Sequence, residues 1–90
     1  MAIYKFYSII EKVDGVFTVT FPDIENCFTD GETLHQAVEM AQDALGSLLS
    51  VLEDEGDDIP VPSKAEDIEL PDEASLVLVE VDTDDFREAI

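Results

Sequence analysis

Residues 31–56, GETLHQAVEMAQDALGSLLSVLEDEG, constrain the fold more than any other stretch, because no other long segment has a helical period. Leu34, Val38, Ala41, Leu45, Leu48, Leu49 and Leu52 recur by threes and fours, which sets them on one face of a helix. Thr33 is placed to cap the start, since its hydroxyl can accept from a first-turn amide that has no partner inside the helix. Gly31 supplies the turn ahead of it, and Gly56 the left-handed residue that closes the other end. Gln36, Glu39 and Asp43 fall off the apolar face. A stripe of this length needs a wide apolar surface to cover it, and the sequence on either side offers strands.

Residues 2–11 (AIYKFYSIIE) are rich in aromatic and β-branched side chains and read as a strand. Tyr4, Phe6, Ser8 and Ile10 alternate with Ile3, Lys5, Tyr7 and Ile9, and both sets are largely apolar, which suits a central position in a sheet. Asp14-Gly15 is a hairpin signal. Residues 16–21 (VFTVTF) follow, with Phe17, Val19 and Phe21 on the face expected to meet the helix. Pro22 ends that strand by removing a ladder donor. A turn and a short third strand are expected within residues 23–29, and Asp30-Gly31 turns the chain into the helix. Residues 57–63 (DDIPVPS) form an extended connection, and residues 64–73 a long acidic loop with one helical turn. Residues 74–81 (ASLVLVEV) are a strand with Val77, Val79 and Val81 on one face. The order is β-β-β-α-β: an α+β fold, a small antiparallel-rich sheet with one long helix packed on it. Residues 83–90 read as the start of a C-terminal helix or a linker, with Thr83 as its cap.

Charge narrows the function. The 90 residues carry 23 acidic against 4 basic side chains, a formal net charge of −19. Such a field repels phosphate backbones and anionic lipid, so neither nucleic acid nor membrane is an expected partner for these residues. A basic macromolecule is. No apolar run reaches the ~20 residues of a membrane span. The single Cys27 has no second cysteine to pair with, which fits a reducing, cytoplasmic setting.

No catalytic constellation is complete, and no cofactor or metal is called for. His35 has neither a nucleophile nor an orienting group near it in the sequence, and reads as a solvated first-turn residue. Cys27, in the short third strand, reads as a small structural side chain. The acid runs at Glu53–Glu55, Asp57-Asp58 and Asp82, Asp84 and Asp85 are sequential and sit at element ends, where solvated charge explains them better than a metal site. Asp23, Glu25, Asp30 and Glu32 are expected at one end of the sheet, and are the candidate partner-binding patch that would face a cation. Local turn chemistry is the competing explanation for them.

One ordered pattern goes further. Val19-Thr20-Phe21-Pro22-Asp23-Ile24, then Cys27, Thr29, Asp30-Gly31-Glu32-Thr33, Ala37, Ala41 and Ala44-Leu45, followed by Ile59-Pro60-Val61-Pro62-Ser63, resembles the HicB antitoxin family over roughly residues 1–82. The sequence departs from that pattern at Glu25-Asn26, where the family more often has Pro-Gly. The resemblance implies a truncated ribonuclease-H-like fold. It implies a partner, the small basic HicA toxin, an RNA-cleaving protein with a double-stranded-RNA-binding-like fold and a catalytic histidine of its own. It implies that the chain neutralises this toxin by covering its RNA-binding and active surface, and that it forms a homo-oligomer. Family members often carry a C-terminal DNA-binding module, which is expected to be absent here, so that operator DNA is not expected to bind to these 90 residues.

Two other functions compete. A degenerate or metal-dependent ribonuclease-H-like nuclease would need acids on the first strand, the helix and a later strand. Glu39 or Asp43 and Asp82 could serve, but Tyr4 to Ile10 contains no acid. A generic acidic interaction domain is the third reading.

Overall fold

The computed structural model describes residues 3–86. Its elements are β1 (Ile3–Val13), β2 (Val16–Thr20), β3 (Phe28–Gly31), α1 (Leu34–Glu55) and β4 (Ser75–Asp82), with short 3-10 turns at Ala65–Asp67 and Thr83–Phe86. The four strands make one sheet in the order β3-β2-β1-β4, and every neighbouring pair is antiparallel. The α+β architecture expected from the sequence is therefore present. β1 is central: it pairs with β2 through Ile9 opposite Thr20 to Val13 opposite Val16, and with β4 through Ile3 opposite Asp82 to Ile10 opposite Ser75.

α1 covers one face of this sheet. Phe6, Ile10, Val19, Val79 and Val81 point into that layer and are buried, against Ala37, Ala41, Leu45 and Leu49 of the helix. Burial of each large apolar side chain contributes on the order of 1.5–3 kcal/mol, which makes this layer the main source of stability. Ser8 shares the buried face and is satisfied there, donating from its hydroxyl to the Val77 carbonyl at 2.9 Å. The helix seats closely because the residues beneath it are small. A side chain on Gly31 would begin 2.5 Å from the Ala37 backbone nitrogen, and one on Gly46 would enter the ring of Phe86.

The caps form as the sequence requires. Thr33 accepts from the Gln36 amide at 3.0 Å, and the Gln36 side chain reaches back to the Glu32 amide at 2.7 Å. Gly56 takes φ 74°, and the amides of Gly56 and Asp57 donate to the carbonyls of Glu53 and Leu52, a Schellman closure.

Three details differ from the sequence reading. The apolar stripe begins at Ala37 rather than Leu34, which is 49% exposed. The third strand is Phe28–Gly31, so Cys27 precedes it and Gly31 ends it, since residues 22–27 are used up by the turn after β2. β2 ends at Thr20, although Phe21 is buried on the expected face. At the end of β4 the Asp82 carboxylate accepts from the Asp84 amide at 3.0 Å, and Thr83 is buried. Half of the 83–90 segment, residues 87–90, lies outside the described residues.

Gly46→Ala tests the close seating. Alanine gains about 1 kcal/mol of helix propensity over glycine. Its methyl, however, displaces the Phe86 ring, and overpacking costs about 1–3 kcal/mol. The thermal midpoint should fall in the wild-type background and rise in a Phe86→Ala background, where the ring is gone.

Candidate functional site

The turn after β2 joins the two proline motifs of the sequence. Pro22 and Asp23 occupy its middle, closed by the Ile24 amide donating to the Phe21 carbonyl at 3.1 Å. The Asp23 carboxylate then accepts twice from Ser63, forty residues later: from the amide at 2.8 Å and from the hydroxyl at 2.6 Å. Asp23 thus ties the extended 57–63 connection to the sheet, and this half-buried acid is a structural tie rather than a free charge. Asn26 takes φ 61°, the left-handed position that a Pro-Gly pair would fill with its glycine. The substitution at Glu25-Asn26 is accommodated because asparagine tolerates that conformation better than other side chains.

The four candidate acids do not form one patch. β3 runs antiparallel to β2, with Phe28 opposite Thr20 and Gly31 opposite Phe17. Asp23 and Glu25 therefore lie at one end of this strand pair, and Asp30 and Glu32 at the other, roughly 13 Å of strand apart. Each pair borders its own groove. Asp23 and Glu25 line one of about 510 Å³ with Leu48, Leu52, Asp58 and Pro60. Asp30 and Glu32 line one of about 430 Å³ with Val16, Gly31, Gln36 and Met40.

A third surface was only half anticipated. The odd-numbered side chains of β1 point away from α1, and no helix among the described residues covers them. The register puts Phe28, Thr20, Ile9 and Leu76 in one row across the sheet, and Tyr7 beside Leu78. Phe28 is 71% exposed and Ile3, Val13 and Leu78 about half exposed. Charge on this face is sparse: Lys5 lies 3.9 Å from Glu80, and Glu11, Asp30 and Asp82 complete it. The apolar odd-numbered residues of β1 were the sequence signal for this face.

Reaction chemistry is harder to find. His35 is exposed and pairs with Glu39 at 2.7 Å across one helical turn. Cys27 is buried, and burial raises its thiol above the ordinary value of 9.0, so at neutral pH it is a protonated, weak nucleophile. Among the described residues, no three of His, Cys, Asp or Glu converge as a metal-binding group. No helix among them is long and apolar enough to cross a membrane. What the described surface offers is contact area: the two acid-bordered grooves above, a smaller one lined by Asp43, Glu80, Asp82 and Asp85, and an open apolar sheet.

Comparison with known proteins supplies the family. The model for the HicB-like antitoxin of bacterial toxin–antitoxin systems matches residues 6–89, and the chain belongs to that family. It is similar to Antitoxin HicB 1 of Photorhabdus laumondii, with 39% identity over 49 residues, 54% of this chain and 32% of the relative. Its fold is that of the N-terminal domain of Burkholderia pseudomallei antitoxin HicB, at 31% identity and a TM-score of 0.76, over 88% of this chain and 99% of that one. A chain of the HicA3 and HicB3 toxin–antitoxin complex matches at 29% identity and a TM-score of 0.70, over the same shares of 88% and 99%. The chain spans between 32% and 57% of the length of the curated relatives it matches.

The Asp23 tie has a measurable role. Asp23→Ala leaves the Ser63 amide and hydroxyl unpaired and should cost about 1–3 kcal/mol in urea unfolding. Asp23→Asn, which keeps an acceptor, should cost less. In both variants the Ser63 amide should exchange with solvent faster than in the wild type.

Proposed function

We propose that this chain is the toxin-binding domain of an antitoxin, and that it neutralises a basic HicA-type RNA-cleaving toxin by covering the toxin's RNA-binding and active surface. Family membership over residues 6–89 is the observation that carries this reading. Charge supports it: a −19 chain attracts a basic protein and presents carboxylates where RNA would present phosphates. A relative of similar fold was solved in a complex of toxin with antitoxin, which supports a toxin as the partner.

The nuclease alternative fares worse on the residues. The face of β1 toward α1 presents Tyr4, Phe6, Ser8 and Ile10, with no carboxylate at the centre of the sheet where a metal pair would need one. The truncated ribonuclease-H likeness is retained only as a statement of architecture. The domain division at residue 82, and the role of any DNA-binding module, belong to the same proposal. The acidic surface described above is itself unsuited to DNA.

Titration of the chain with a small basic HicA-type toxin, with RNA cleavage followed in parallel, tests the reading. Stoichiometric binding should stop cleavage, and the association rate should fall by about tenfold or more between low and moderate salt. Failure to bind or to stop cleavage would sink the antitoxin reading for this domain.

Self-association is part of the proposal, and the open sheet face supports it. Two chains of charge −19 repel, so copies meet most cheaply where apolar side chains are dense and charge is sparse, as along Ile9, Phe28, Leu76 and Leu78. Phe28→Ser with Leu78→Ser should lower the mass seen in sedimentation to that of the monomer, without lowering helix content. An unchanged mass would remove this face from the assembly.

A further inference from the structure

We infer that the groove between the turn after β2 and the second half of α1 is the seat of a long cationic side chain, an arginine of the basic partner. This rests on the antitoxin reading and deepens it, by naming the contact through which a basic toxin would be held. The groove measures about 510 Å³. Ile24, Leu48 and Leu52 give it an apolar floor, Pro60 a rigid wall, and Glu25 and Asp58 stand at its mouth. Ile24 is buried and the two leucines half-buried, whereas both carboxylates are exposed. Neither Glu25 nor Asp58 has an ion-pair or hydrogen-bond partner among the described residues.

That arrangement selects its occupant. A side chain with a long apolar stem and a charged tip can lay the stem on Leu48 and Leu52 and place the tip between two carboxylates. A planar guanidinium, which keeps its charge and can engage two carboxylates at once, matches better than a compact ammonium. An anionic ligand is repelled by both rims, and a purely apolar one would leave Glu25 and Asp58 desolvated without a counter-charge. The groove is also preformed. Asp23 fixes the far wall through its two hydrogen bonds to Ser63, and Asn26 holds the left-handed turn beside Glu25. A preformed seat spares the ordering cost that weakens binding to mobile loops. The second groove differs: Gly31 backbone and the capping Gln36 form much of it, with Val16 and Met40 as its only apolar walls.

The test is a map of the bound surface together with a charge reversal. The isotopically labelled chain is titrated with a basic HicA-type toxin, inactivated at its catalytic histidine, and amide shifts are followed. Perturbation concentrated at Glu25, Asn26, Leu48 and Leu52, with at least about tenfold weaker binding by Glu25→Lys/Asp58→Lys, is the expected result. A thermal midpoint near that of the wild type shows that the double variant still folds; if it does not, the amide map decides alone. Shifts confined to Ile9, Phe28 and Leu78, with affinity unchanged in the double variant, would overturn the groove and leave the antitoxin reading intact. No shifts at saturating toxin would overturn both.

Discussion

Everything in this domain depends on how closely α1 lies on the sheet. Twenty-two helical residues must pack across a sheet of four strands, and the contact works because small residues sit at the crossing. Ala37 rests against the backbone at Gly31, and Gly46 leaves room for the ring of Phe86. Bulk at Gly31 would push the start of the helix off the sheet, and bulk at Gly46 would displace the Phe86 ring, both beside a layer in which Phe6 and Leu45 are fully buried. Interiors packed at crystal-like density do not absorb such displacements gradually. The apolar layer on one face therefore fixes the position of both grooves and leaves the opposite face uncovered.

The Asp23–Ser63 contact adds a second level of order. It links two motifs that are short and unremarkable alone, and explains why a Phe-Pro-Asp turn and a Pro-x-Pro-Ser connection occur together in one chain. The prolines keep the connection extended, and the carboxylate gives it a fixed point. An acid read from sequence as a candidate for partner binding thus spends its lone pairs inside the fold, while Glu25 beside it remains at the surface.

Local signals were legible and relative placement was not. Thr33 and Gly56 could be named as caps because the helical period between them was clear, and capping depends on residues within a turn. The alternation in β2 and β4 set Val19 with Phe21, and Val79 with Val81, on the faces that are buried, whereas β1, apolar on both sides, could be read only as central. The third strand was misplaced because Cys27, Phe28 and Thr29 have strand-like composition, and nothing local marks where a turn of six residues releases the chain. Asp23, Glu25, Asp30 and Glu32 look like one cluster in a list of acids; antiparallel pairing of β2 with β3 separates them. The roles of Gly46 and Ser63 depend on partners forty residues away, which no periodicity reveals.

The central position of β1 also sets the order in which the domain can assemble. Most of it, Ile3 to Ile10, pairs with β4, some seventy residues later in the chain, and only Ile9 to Val13 pair with the neighbouring β2. Contacts of such long sequence separation carry a loop-closure cost before they return any stability, which slows folding. During synthesis, α1 is complete before Ser75–Asp82 has been made, so Phe6 has only half a sheet to support it. The domain becomes a single cooperative unit only when its last strand arrives, and until then the nascent chain exposes the edge of its own most apolar strand.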